Sequence, residues 1–377
     1  MADKEKPREE TTEDSGKKSE DAAEVGKEVK ALEESGNKSP EDAGKETPDQ
    51  VKEEGEGPGK KEAEKEAGGS GEINIGVFGL TDVGIVREAN EDAFLIADLS
   101  RHLCDQTKEL RHHKLGPGGT LFLVCDGMGG ALAGEVASKM ATETILEIME
   151  REPFPSKHGA LVRRMDSACK EASERIFIAS RRDIQKRGMG TTITLAAMID
   201  ERLFVAQVGD SRCYIMRLDT IYRITKDQSL MNQLLETGQL KEEEIKDFEY
   251  SNVILQAAGT QKNVKPEITY VDVRENDMIL LCSDGLHSMI GDDVIAYTLL
   301  NAPDIETCAY QVIDLANQAG GTDNISVVVA RFTGPGLIDP DDQPIMYQQY
   351  FIKEEEISEE EQAQWDFPEI DIDEKNR

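Results

Sequence analysis

From Ile73 to Leu80 the chain alternates and is rich in Ile, Val and Phe, and Ala93 to Ala97 repeats the pattern. Two strands are predicted, separated by the turn-forming Thr81-Asp82-Val83-Gly84. Arg101 to Gly119 is polar and reads as a loop. Leu121-Phe122-Leu123-Val124-Cys125 is apolar throughout, as in a strand covered on both faces, and it stops abruptly at Asp126. Leu132, Val136, Met140 and Ile148, joined by Ala137, Ala141, Ile145 and Met149, then recur at helical spacing, as do Leu161, Met165, Ala168, Ala172 and Ile176. Beyond Gly190 the period becomes that of strands, over Thr191–Met198, Leu203–Val208, Cys213–Arg217 and Ile221–Ile224, with tight connections at Asp200-Glu201 and Leu218-Asp219. Ser229–Gly238 reads as a helix, Ile268–Val273 and Met278–Cys282 as strands, Asp304–Gln318 as a helix and Asn324–Phe332 as a closing strand. This order argues for an α+β fold, a mixed antiparallel sandwich with helices outside, and against a repeating βαβ chain.

Composition divides the 377 residues into three. Residues 1–72 are Glu, Lys, Gly, Ser, Ala and Pro with few large apolar side chains, and are expected to form a disordered acidic extension. Residues 73–333 have enough apolar content for one substantial core, and 334–377 read as an acidic tail interrupted by Ile345–Ile352 and Trp365-Asp366-Phe367. The two ends carry about two thirds of the net charge of −33. Such a balance argues against nucleic acid or an anionic membrane as partner, since both are held through Lys and Arg clusters. No apolar run is long enough to span a bilayer and the amino terminus lacks a signal-peptide core, so a cytoplasmic protein is expected. The six cysteines are scattered with no C-x-x-C pair, which suggests neither a zinc site nor a disulfide framework.

The acids at strand ends change the picture. Asp126 follows Leu121–Cys125, Asp284 follows Ile279–Ser283, Asp323 precedes Ile325–Ala330, and Glu91 and Asp92 abut the Ala93 strand. A carboxylate there is costly unless paired or metal-bound, and small residues beside each one let carbonyls and water approach. Mg²⁺ and Mn²⁺ take oxygen ligands and keep several waters, so a few carboxylates suffice for two ions, which activate water and clamp a phosphoryl group. Arg87 offers a planar fork for phosphate oxygens. Singly, each Asp is better read as a turn former or cap, and Arg87 as a surface ion pair. A dinucleotide-binding turn at Gly127 fails because Leu132 stands where its third glycine belongs.

Taken in order, Arg87–Asp92, Asp126-Gly127-Met128-Gly129-Gly130, Gly188–Thr192, Val208–Arg212, Ser283–Leu286 and Gly320–Ser326 resemble the metal-dependent protein phosphatases of type 2C, in particular their bacterial branch. The resemblance implies a four-layer α/β/β/α sandwich with two central, mainly antiparallel sheets. It also implies hydrolysis of phosphoserine and phosphothreonine by a hydroxide bridging two Mn²⁺ or Mg²⁺ ions, with a third ion in many members. On that basis Asp126 bridges both ions, Asp284 and Asp323 complete one site, and the Gly127 carbonyl and, through water, Glu91 the other. Asp92 orients water and Arg87 holds the substrate phosphate. For Asp210, a third-ion ligand and a simple turn residue both stand. Thr225–Ile245 resembles the mobile flap of the bacterial enzymes.

Three departures accompany the match. Met128 replaces the histidine proposed as general acid in animal members, Lys226-Asp227-Gln228-Ser229 replaces the usual Asp-His-Ser, and Gln256-Ala257-Ala258-Gly259 lacks the Arg of Arg-Ala-Leu-Gly. His102, His112, His113, His158 and His287 match no motif, and solvated imidazoles are expected. Expected partners are phosphorylated proteins made by serine/threonine kinases, acted on by a monomer. Rival readings are a non-catalytic pseudophosphatase and a dedicated phosphatase of a sigma-factor partner-switching pathway.

Overall fold

The computed structural model describes residues 71–352, except 105–107, 130–132, 156, 249, 251 and 252. The amino-terminal extension to residue 70, Gly130, Leu132 and the Trp365-Asp366-Phe367 interruption therefore lie outside the described residues.

Strand periodicity becomes fifteen strands: β1 (Asn74–Asp82), β2 (Ala93–Asp98), β3 (Leu103–Cys104), β4 (His112–Lys114), β5 (Thr120–Cys125), β6 (Gly127–Met128), β7 (Gly190–Thr191), β8 (Ile193–Ile199), β9 (Arg202–Val208), β10 (Arg212–Arg217), β11 (Thr220–Arg223), β12 (Glu267–Asp272), β13 (Met278–Cys282), β14 (Ile325–Thr333) and β15 (Gln348–Gln349). One sheet runs β11-β10-β13-β14-β1-β4 and a second β15-β12-β9-β8-β5-β2-β3, while β6 and β7 form a small separate pair. The pairings within both large sheets are antiparallel.

The sheets pack face to face, and period-2 geometry explains the unbroken apolar runs. On β5, Phe122 and Val124 point between the sheets, where they meet Ile215, Leu281, Val328 and Phe332. Leu121, Leu123 and Cys125 point the other way, into a second core with the helices Ala133–Met149 and His158–Arg182. Phe122 and Phe332 meet edge to face across the central layer at 6.1 Å. The helix Ile305–Gln318 covers the opposite sheet over β1 and β14. The result is an α/β/β/α sandwich, as the resemblance implied.

Two expectations need correction. The stretch Arg101–Gly119 is more than a loop: it contains β3, β4 and the turn of helix Lys108–Arg111, with Leu110 1% exposed. His113 on β4 is buried rather than solvated. Its Nδ1–H donates to the Leu110 carbonyl (2.8 Å), so Nε2 accepts from the Thr120 hydroxyl (2.8 Å). His287 is also withdrawn from solvent, with Nε2–H donating to the Asp210 carbonyl (3.1 Å). Burial lowers the pKa of both imidazoles, that of His287 to about 3.

The stretch from Gly334, assigned by composition to the acidic tail, packs against the sandwich as far as it is described. Leu337 and Ile345 enter the central core. Gln348 and Gln349 pair with Tyr270 and Thr269 of β12, and the Tyr350 ring packs on Phe204 and Tyr270. Among the described residues no helix is long and apolar enough to cross a membrane.

Two outcomes follow for stability. Truncation after Gly334 removes two buried aliphatic side chains and a strand, and is expected to cost about 3–5 kcal/mol in chemical denaturation; an unchanged midpoint would exclude the packing described. For His113 the folded pKa lies below the ordinary imidazole value of 6.5, so the unfolded chain binds the extra proton and this residue's contribution to stability falls as pH drops through that value. Denaturation of wild type and His113→Gln at pH 7 and pH 5 isolates this residue from the acids whose raised pKa acts in the opposite direction: relative to the variant, wild type should lose stability between the two pH values.

Candidate metal centre

Sheet register decides which acids meet. Ala93 pairs with Cys125, so Asp92 and Asp126, one residue beyond on each strand, emerge side by side from the same end of that ladder. Cys282 pairs with both Val327 and Arg212. Continuing the two ladders brings Asp284 beside the start of β14, where Asp323 lies, and beside the Gly209–Ser211 turn that carries Asp210. Segments far apart in sequence thus deliver their carboxylates to one end of the sandwich.

The backbone around these acids is fixed by polar side chains. Thr192 Oγ1 accepts from the Asp126 amide (2.9 Å), while the Asp126 carbonyl accepts from the Thr192 amide (2.9 Å) and the Thr191 hydroxyl (2.8 Å). Asn324 pins the loop between β1 and β2: its Oδ1 accepts from the Glu91 amide (2.8 Å) and its Nδ2 donates to the Val83 and Ala89 carbonyls (2.9 Å each). Ser138, on the first long helix, donates to the Glu91 carbonyl (2.6 Å). Gly127 and Gly134 face each other beside Glu91, and a Cβ on either would strike the other's backbone and Glu91 as well. That close approach is what glycine permits there.

Electrostatically the cluster is unfavourable to itself. Burial pushes the Asp92 pKa up to about 7, against hydrogen bonds from Ser283 and Ser326, with the charges of Asp284 and Asp323 adding to the rise. Burial and then Asp92, Asp284 and Asp210 raise Asp126 well above the ordinary carboxylate range. Asp284 is raised by burial and by Asp323. A hydrogen bond between the Asp126 and Asp284 carboxyls adds to the rise of Asp126 and opposes that of Asp284. Asp210 is likewise raised, to about 7, by burial, Asp284 and Asp227. At the rim Arg87 Nη2 donates to Asp323 Oδ2 (2.7 Å), with the two side chains 53% and 36% exposed, and the guanidinium also feels Glu91 and Asp284.

Among the described residues no three His, Cys, Asp or Glu side chains already stand at metal-ligand spacing around one point. The fit of a cation rests on other observations. Asp92 Oδ2 and Asp210 Oδ1 are buried oxygens without a hydrogen-bond partner. Such atoms cost about 1–3 kcal/mol each when left alone. The donors are all oxygen, which suits hard dications, and positive charge would relieve the repulsion that raises Asp126 and its neighbours.

Every acid singled out from the sequence, Glu91, Asp92, Asp126, Asp210, Asp284 and Asp323, lies in or beside this cluster, and Arg87 faces it. Sequence reasoning gave no role to Thr192, Ser283, Asn324 or Ser326. They stood inside or beside the quoted motifs, but a neutral hydroxyl or amide carries no signal until its partner is seen.

Comparison with known proteins agrees with this geometry. The family model described as protein phosphatase 2C matches residues 105–319. The serine/threonine phosphatase stp of Listeria innocua serovar 6a is 31% identical over 230 residues, 59% of this chain and 91% of that protein. The structure of the S. agalactiae serine/threonine phosphatase superposes with a TM-score of 0.60 at 30% identity, covering 68% of this chain and 98% of that one. The catalytic domain of the serine/threonine protein phosphatase PstP in complex with two manganese ions gives 0.57 at 30% identity, covering 69% and 99%. Six motifs in order, the shared sandwich and the family match together place the chain in the protein phosphatase 2C family.

Proposed function

We propose that this chain is a metal-dependent protein phosphatase that hydrolyses phosphoserine and phosphothreonine in other proteins, with its catalytic domain in residues 73–333 and the stretch to Ile352 packed against it. The observation that carries the reading is the convergence of Asp92, Asp126 and Asp284, each partly buried and each raised by desolvation and its neighbours, beside the exposed fork of Arg87. A non-catalytic binding protein would have no use for so much buried like charge. The manganese pair in the PstP structure supports two Mn²⁺ or Mg²⁺ ions here.

Asp126 would be shared by both ions, Asp284 and Asp323 would help hold one, and the Gly127 carbonyl and, through water, Glu91 would help hold the other. When bound, the ions supply Lewis acidity and lower the pKa of water. Asp92 accepts a proton-bearing water on its unpartnered Oδ2 and orients it, with Ser283 and Ser326 hydrogen-bonding its carboxylate. Arg87 engages two phosphate oxygens bidentately, which requires it to share or release Asp323. Asp210, with its own orphaned oxygen, would take a third ion. The net charge of −33 argues against nucleic acid as a partner, and a cytoplasmic monomer accords with the sequence reading.

Two outcomes test the assignment. Asp126→Asn and Asp284→Asn should each lower Mn²⁺-dependent release of phosphate from a phosphothreonine peptide by roughly 100-fold or more while the fold is retained by circular dichroism. Wild-type protein without metal-dependent turnover would overturn the reading. Arg87→Ala should raise the KM for the same peptide by about tenfold; an unaltered KM would remove Arg87 from phosphate binding.

A further inference from the structure

The two departures from the family wording at Gln228 and Gln256 lie far apart in sequence and touch each other in the fold. Gln256 Nε2–H donates to Gln228 Oε1 at 2.9 Å, and its second proton goes to the Lys265 carbonyl (3.0 Å). Gln256 Oε1 accepts from the Lys265 amide (2.8 Å). Gln228 Oε1 also accepts from the Gly209 amide (2.8 Å), and its Nε2 donates to the Gln207 carbonyl (3.3 Å). Both amides are thereby fixed in orientation, since reversing Gln256 would set its NH₂ against the Lys265 N–H.

The pair sits at the mouth of the excursion that runs from Ser229 to Leu255. Its two stems are zipped by Leu230 N–H to the Val253 carbonyl and Leu255 N–H to the Gln228 carbonyl, each 2.8 Å, with Ser229 bridged to Ile254. One stem is clasped to the Gly209–Asp210 turn twice, because the Gln228 amide also donates to the Gly209 carbonyl (2.9 Å). Gly209 holds φ +102° with Thr192 packed against its α-carbon, so the turn has little room to shift alone. On the excursion Tyr250, Val253 and Leu255 are 57%, 40% and 44% exposed, apolar surface of the kind a polypeptide covers.

We propose that Gln228 and Gln256 are positioning residues: as a neutral amide clamp they set the excursion against the Asp210 turn and so govern capture of phosphopeptides rather than the chemical step. The inference rests on the phosphatase reading above. It follows that the clamp depends on a donor at residue 256, and that a side chain of the same shape without that donor will open it.

The test uses the full chain and the variants Q256E, Q256A and Q228A/Q256A. In Q256E an acceptor of equal size faces two acceptors, Gln228 Oε1 and the Lys265 carbonyl. Hydrogen exchange of the amides in 229–255 should quicken by about tenfold in Q256E and Q256A alike. The KM for a phosphothreonine peptide should rise about tenfold while kcat on p-nitrophenyl phosphate stays within about twofold, and the double variant should be no worse than the single. Wild-type exchange in Q256E, an equal loss of kcat on both substrates, or additive effects in the double variant would each overturn the clamp. Were wild-type protein to hydrolyse neither substrate, the phosphatase reading would fail, and exchange alone would still decide the clamp.

Discussion

Several partly buried carboxylates crowded within reach of one another govern this molecule. Bringing Asp92, Asp126, Asp210 and Asp284 out of water at one end of a β-sandwich sets burial and like charge against ionisation at the same time, and each carboxyl is raised as a result. Nothing in packing rewards that arrangement. The surrounding hydroxyls and amides, from Thr191, Thr192 and Asn324, instead hold the backbone where the repulsion would loosen it. The energy spent in keeping the acids together is what a pair of dications can return, so stability and affinity for metal oppose each other at this end of the fold.

The sandwich supplies the rigidity this needs. Its central layer is filled from both sheets, with Phe122 and Phe332 in edge-to-face contact, while the outer face of β5 packs on two long helices. Because every strand that ends at the cluster is anchored on two sides, the positions of its terminal residues are set by ladders many residues long. Arg87 is treated differently: it stands on a loop, half exposed, tied to Asp323 by one contact. An arginine proposed to trade a carboxylate for a phosphate thus stands where exchange is easy.

Much of this could be read from the chain. Strands with one buried face or two announced themselves by period, and the acids drew notice because they ended apolar runs. What stayed hidden depended on partners distant in sequence. His113 looked solvated because its neighbours are polar, yet its two hydrogen bonds close on Leu110 and Thr120 and let the ring go inside. The helix Asp292–Asn301 buries only Val294, Ile295, Thr298 and Leu299, too short a stripe to stand out. Composition assigned the stretch after Gly334 to an acidic tail, although Leu337 and Ile345 were the residues that mattered there. The departures at Gln228 and Gln256 were visible one at a time, and their contact was not.

The short pairing of Gln348 and Gln349 with β12 has an effect larger than its two residues suggest. Without it β12 would border the sheet with unsatisfied amides and carbonyls beside Tyr270, an invitation for a foreign chain to add itself there. By laying its own strand over Thr269 and Tyr270, backed by the Tyr350 ring, the polypeptide narrows the template open to a foreign chain.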